Sequence, residues 1–431
     1  MYRYLTTYLH TLRHFNRDVR VLLTIAALIG FTIFGGIYTV LLNLYLLRLG
    51  YDSTFVGKVN ATGLLAFATA ALPAGTLGSR WGMRRMMIAG LFLAAAGYGL
   101  LPAGELIQGA WRDSWLLATY LLAMLGFVVY LVNATPFLTG ATTSSERSHA
   151  FAVQAALWPL AGFAGSLCGG LLPRVVAVSL GVGLDDPAAY RYPLLFAAAL
   201  LLPAALLLLS VHDVSAERDQ VDTEVSASPR ALIVMLSLVV LLQVGGEGAA
   251  RTFFNVYLDD GLRLPTALIG ALVAVGQLLA VPMALATPVL TARWGADRII
   301  MLGALGMALS LLPLALISHW LMASFSFMSL IALASIARPA TMVYQMGLIP
   351  SGWWAAMSGA TTLAAGLSWA GIAWGGGYVI AALGYRSLFL ASAGLTAVGA
   401  LLFWVCFRLP GSGRTPRAWL TRLGTWSAGD P

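Results

Sequence analysis

Apolar residues run in continuous stretches of about 20 or more that recur roughly every 30 to 35 positions, separated by short polar segments. As helix, at about 1.5 Å per residue, such a stretch crosses a bilayer core about 30 Å thick. The run Tyr192 to Val211 reads YPLLFAAALLLPAALLLLSV. It lacks the alternation over about 10 residues that marks a transmembrane barrel strand. The pattern predicts twelve helical spans near 21–47, 54–78, 85–104, 115–140, 149–173, 192–211, 231–258, 264–290, 297–316, 320–348, 355–381 and 386–407. The fold class is therefore an all-α polytopic membrane protein.

The only long polar stretch falls after the sixth span, at Asp213 to Arg230. It divides the chain into a six-helix bundle at 21–211, a linker at 212–230 and a second bundle at 231–407, with a segment 1–20 before them and a tail 408–431 after. Composition agrees: of 431 residues 59% are hydrophobic and only 10% charged, against about 25% charged in a soluble chain. Lipid is the solvent for most of this sequence.

Sixteen of the 25 Lys and Arg residues fall on the side of the N-terminus and seven on the opposite side. That bias predicts cytoplasmic termini in a multi-pass protein of the inner (cytoplasmic) membrane. The net charge of +8 sits in short loops beside spans rather than in a soluble module, which argues against a nucleic-acid partner. In residues 1–20, Leu5, Leu9, Leu12 and Phe15 at helical spacing are interrupted by Arg3, Arg13 and Arg17. This predicts an interfacial amphipathic helix rather than a cleavable signal.

Cys168 and Cys406 each lie within a span, so the spacing supports neither a disulfide framework nor a thiolate metal site. Without a Walker loop, metal-ligand spacing or a nucleophile and base constellation, the sequence predicts no metal, no cofactor and no enzymatic activity.

The two halves repeat at an offset of about 213 residues. Arg80, Trp81 and Gly82 recur as Arg293, Trp294 and Gly295, Arg85 as Arg298, and Gly90 as Gly303. Asn43 and Tyr45 recur as Asn255 and Tyr257. The segment from Gly75 through Arg80, Gly82, Arg84 and Arg85 resembles the loop signature of the major facilitator superfamily (MFS), except that Ser79 stands where that family usually has an acid. The resemblance implies two pseudo-symmetric bundles and alternating access, with the first, fourth, seventh and tenth spans lining a central cavity. It also implies a role for the loop residues Gly75, Arg80, Gly82, Arg84, Arg85, Arg293, Gly295 and Arg298 in conformational change. Loss of the acid removes one charge latch associated with that loop, while its arginines remain suited to helix C-termini.

Polar residues inside the cavity-lining spans are the candidate site. Gln243, Glu247, Arg251 and Asn255 follow at intervals of four on one face of span seven. Such a stripe is costly against lipid and must face protein or water. Glu247 is the single acid deep in a predicted span. Two readings stand: a static Glu247–Arg251 pair that fixes packing, or a proton-coupling Glu247 with Arg251 as a substrate group. Arg338 lies deep in span ten before Pro339, with Tyr344 and Gln345 further along. One deep acid and two deep arginines make the region net positive and predict an anionic or amphipathic small-molecule substrate.

Arg251, Arg338, Asn43, Asn255, Gln243, Tyr38, Asn133, Tyr344 and Gln345 are the predicted substrate residues. Protons are the predicted coupling ion, membrane lipids the surroundings and a monomer the working unit. Multidrug-type efflux of neutral or cationic amphiphiles, and lipid translocation through a laterally open cavity, stay open as alternatives. The glycines of span five (Gly162, Gly165, Gly169, Gly170) and span eleven (Gly371, Gly375, Gly376, Gly377) predict close helix packing.

Overall fold

The computed structural model describes residues 15–212, 230–350 and 353–408. Most of the predicted amphipathic segment, nearly all of the linker and the tail lie outside them. Among the described residues the secondary structure is helical throughout, without strands. Eleven continuous stretches are long and apolar enough to cross a membrane. The last, α14 (Trp354–Arg408), contains Gly384 at φ +79°, a conformation outside the helical region that divides it into two spans. The count is thus twelve, as the hydrophobic pattern predicts.

Several spans are broken in ways the pattern alone did not indicate. Span one consists of α1 (Arg17–Thr32) and α2 (Ile37–Arg48). Between them Gly35 takes φ +85°, and the Thr39 hydroxyl accepts from Gly35 N at 3.0 Å and donates to the Ile33 carbonyl at 2.9 Å. Those bonds satisfy backbone groups that the break removes from the helical ladder, a requirement inside a bilayer. Span two is α3 (Ser53–Trp81), started by the Asp52 carboxylate accepting from Phe55 N at 3.0 Å. Span three is α4 (Met83–Leu100), span four α5 (Ala110–Ala141) and span five α6 (Ser144–Leu180). Span six is α7 (Ala188–Ala199) with α8 (Leu201–Leu208).

The chain forms two compact units. The first comprises Met1–Arg218 with Asn255–Val281; the second comprises Asp219–Phe254 with Pro282–Pro431. In the first unit, a Cβ at Gly90 would meet the Gly126 carbonyl and the Tyr130 amide, each at 2.7 Å, so spans three and four touch backbone to backbone. The span-five glycines pack as predicted: Gly165 lies against Phe31 and Gly36, Gly169 against Ile37, and Gly170 against Gly270. The Tyr38 and Tyr98 rings pack with centroids 4.0 Å apart at an interplanar angle of 31°, and the Tyr38 hydroxyl donates to the Leu194 carbonyl at 2.7 Å.

Span seven is α9 (Arg230–Gln243) and α10 (Gly245–Val256), and span eight is α11 (Thr266–Trp294). In the second unit, span nine is α12 (Ala296–Leu316) and span ten α13 (Trp320–Leu348). Val239, Ile299, Ile300, Ile336, Ala340 and Phe403 make an apolar core between spans seven, nine, ten and twelve. Gly376 packs on Phe253 and Leu388, whereas a Cβ added at Gly371 or Gly375 would meet no neighbour within 4 Å. The small-residue face expected of span eleven is therefore closely packed at Gly376 and open at those two positions.

Candidate functional site

The deep polar residues of span seven owe their placement to the sequence Gly245-Gly246-Glu247-Gly248, which follows a break at Val244. Each glycine admits a neighbour where a side chain would collide: a Cβ at Gly245 would lie 2.6 Å from Leu395, at Gly246 2.6 Å from Thr396, and at Gly248 2.7 Å from Trp369. The neighbours also satisfy the backbone. Trp369 Nε1 donates to the Val244 carbonyl at 3.1 Å, and Gly246 N donates to Thr396 Oγ1 at 3.0 Å. Glu247 thereby sits in the first turn of α10, where the helix dipole favours a negative charge.

Glu247 is 2% exposed. Its Oε1 accepts from Arg251 Nε at 2.7 Å and from Arg338 Nη2 at 2.6 Å. The sequence predicted the first pair from its spacing of four. The second joins a residue of span ten, 91 positions away, to the same oxygen. Arg338 also lies with its guanidinium 5.1 Å from the centroid of Trp369, a cation–π contact of about 0.5–2 kcal/mol. The Arg251 and Arg338 side chains remain 28% and 44% exposed. A buried anion is thus shared by two cations that each present part of their surface outward. Among the described residues no three His, Cys, Asp or Glu side chains gather as metal ligands.

The other predicted substrate residues are distributed. Gln243 is buried with Nε2 3.4 Å from the Gly399 carbonyl, and together with Tyr344 and Gln345 it lines a small cavity inside the second unit. The Gln345 amide nitrogen is buried without a partner. In the first unit, Asn43 Oδ1 accepts from Asn60 Nδ2 at 2.8 Å, Asn133 Nδ2 donates to the Ala74 and Val129 carbonyls at 3.2 and 2.8 Å, and Asn255 Nδ2 donates to the Thr39 carbonyl at 2.6 Å. With Tyr38 on Leu194, these four make hydrogen bonds that tie spans together.

Two further arginine–carboxylate pairs had no signal in the sequence pattern, which places Arg48 in a loop and Asp259 beyond the end of span seven. The structure joins them: Arg48 Nη1 and Nη2 reach the two Asp259 oxygens at 2.7 Å each. Asp259 is carried on a π-helical turn, Tyr257–Gly261, and Arg48 lies 5.4 Å from the Tyr190 ring centroid. Tyr190 in turn shares a 3.0 Å hydrogen bond with Thr266. The second pair is Arg191 Nη1 with Glu105 Oε2 at 2.5 Å.

The loop motif appears twice with the same backbone. Gly82 (φ +94°) is the single residue between α3 and α4, and Gly295 (φ +86°) the single residue between α11 and α12. Arg84 donates to the Leu208 and Leu209 carbonyls at 3.0 and 2.5 Å, at the C-terminus of α8. That is the helix-end contact the sequence allowed for it.

The family model described as "Major Facilitator Superfamily" matches residues 20–373. No curated protein matches the sequence. Among solved structures, a D-xylose-proton symporter aligns with a TM-score of 0.74 at 14% identity, covering 95% of this chain and 100% of that one. The nucleoside transporter NupG (D323A mutant) aligns with a TM-score of 0.72 at 15% identity, covering 91% and 100%. The inward-open xylose transporter XylE from E. coli aligns with a TM-score of 0.69 at 14% identity, covering 94% and 99%.

Proposed function

The chain belongs to the Major Facilitator Superfamily, and from that premise we propose that it is a secondary active transporter for a small molecule bearing a negative charge. It moves that molecule across the cytoplasmic membrane by alternating access, with both termini cytoplasmic and a monomer as the working unit. The observation that supports this reading is the shared carboxylate: one Glu247 oxygen holds two guanidinium groups that are 28% and 44% exposed. Exposed cations at that depth do not face hydrocarbon, because the cost is several kcal/mol. They face space that water and solutes reach.

With Glu247 ionised the cluster carries one net positive charge. Each guanidinium keeps donors suited to a carboxylate or phosphate in bidentate geometry. An arriving anion competes with Glu247 for those donors, and protonation of Glu247 releases both arginines at once. Proton and anion binding therefore favour each other, which is the linkage that proton-coupled transport requires.

The test is a thermal-unfolding screen of the purified protein against anions, cations and neutral amphiphiles, since a ligand of the folded state raises its stability. An anion that stabilises wild type and not Arg338→Gln is the expected result. Stabilisation by cationic or neutral amphiphiles alone, equal in the variant, refutes it and favours multidrug-type efflux. For coupling, Glu247→Gln in proteoliposomes loses the dependence of uptake on a pH gradient. Dependence equal to wild type refutes the role of that carboxyl.

A further inference from the structure

The duplicated loops share a backbone and differ in charge. Both turn on one glycine of positive φ, and both expose the tryptophan before it: Trp81 is 63% and Trp294 44% exposed. Tryptophan in a membrane protein favours the headgroup level, where its apolar ring and polar N–H are both accommodated. Rings held at that level would bring Arg80 and Arg85, and likewise Arg293 and Arg298, within reach of lipid phosphates. All four arginines are exposed, and among the described residues they make no hydrogen bond or ion pair.

Neither loop carries the acid usual in the family signature: Ser79 stands at that position in the first and Ala292 in the second. The Ser79 hydroxyl donates to the Thr76 carbonyl at 2.9 Å. Arg84 adds a third positive charge, fixed by its bonds to Leu208 and Leu209. The second loop has Asp297 at the position equivalent to Arg84, so it carries two cations and one anion.

We propose that Arg80, Trp81 and Arg85 form a binding site for the headgroup of an anionic phospholipid, and that the second loop, balanced by Asp297, does not. The two arginines hold the phosphodiester through paired N–H donors while Trp81 packs along the glycerol and upper acyl region. The lipid phosphate takes the place of the missing carboxylate in neutralising this loop. Two units of charge separate the loops, and each basic residue near an anionic lipid surface strengthens binding several-fold, which gives about a tenfold or greater preference for the first.

The experiment uses the full chain in nanodiscs of phosphatidylcholine alone or mixed with phosphatidylglycerol, reading the unfolding temperature and, by native mass spectrometry, the phosphatidylglycerol retained. Arg80→Gln with Arg85→Gln is expected to abolish the phosphatidylglycerol-dependent stabilisation and the retained lipid, leaving the unfolding temperature in phosphatidylcholine unchanged. Arg293→Gln with Arg298→Gln is expected to retain both. Asp297→Arg is expected to add a second retained lipid, which tests the same charge logic by gain should the first double variant fail to fold. Equal losses from the two double variants overturn the proposal, because they indicate general surface charge. Equal stabilisation by inorganic phosphate in phosphatidylcholine discs also overturns it, because the site would then be one for free anions.

Discussion

Replacing Asp259 by Asn removes one charge from the pair that fastens the end of span one to the end of span seven. The two bonds it breaks or weakens are both 2.7 Å long, and the Arg48 and Asp259 side chains are 17% and 7% exposed. Exposed pairs contribute about 0–1 kcal/mol, while removing one partner of a buried pair costs about 3–5 kcal/mol because the other charge is stranded. This pair lies nearer the buried limit. Asparagine keeps one acceptor for one of the two N–H groups, so the expected cost is about 2–3 kcal/mol. Asp185 does not compensate, being 3.9 Å from Arg48 Nε with its side chain fully in solvent. Arg48→Gln removes the same pair and also the 3.1 Å bond from Nε to the Leu184 carbonyl. Equilibrium unfolding in mixed micelles of the wild type, both single variants and the double variant gives a coupling energy, expected at about 2 kcal/mol. A coupling below about 0.5 kcal/mol, the size found between independent sites, refutes the reasoning.

Three further outcomes follow from the geometry. Glu247→Gln removes the anion that Arg251 and Arg338 share, and because both arginines keep access to water the cost is about 1–3 kcal/mol in unfolding free energy; a loss under about 0.5 kcal/mol, within the range of exposed pairs, contradicts the shared pairing. Gly248→Ala forces a Cβ to 2.7 Å from Trp369 and costs about 1–3 kcal/mol by strain, visible as a lowered unfolding temperature and a changed tryptophan emission; an unchanged spectrum argues against that contact. Arg84→Ala removes two charge-assisted bonds to the end of α8 and lowers stability by about 1–2 kcal/mol, whereas Arg84→Lys, able to reach one carbonyl, recovers part of it.

Much of the architecture is written in the hydrophobic pattern because lipid imposes it: a span must be helical, about 20 residues long and apolar. The position of Glu247 and its bond to Arg251 were likewise legible, since a spacing of four fixes neighbours on one helix. Arg338 was legible as a deep cation but not as the second partner of Glu247, because that contact depends on how two helices rotate against each other. Arg48 and Asp259 are 211 residues apart and lie at span ends, where charge is ordinary, so nothing local distinguishes them from topology-setting loop residues. The break in span one was hidden for a related reason. The Phe34-Gly35-Gly36 sequence is apolar enough to read as continuous helix, and only the Thr39 hydroxyl in the following turn reveals where the ladder is interrupted.

The π-helical turn at Tyr257–Gly261 bears on how the length of span seven can vary. Its signature bond runs from Leu262 N to the Tyr257 carbonyl at 3.0 Å, spanning one residue more than an α-helical turn. Each residue rotates a helix by about 100°, so deleting one residue here would restore ordinary winding while turning the following chain away from its present neighbours. Loss of Tyr257 or Leu258 would turn Asp259 off the azimuth that meets Arg48 and bring Asp260 to it. A carboxylate therefore stays at the azimuth of Arg48 when one residue is lost from this turn, because two aspartates stand in succession, whereas the direction of the chain that follows depends on the residue count.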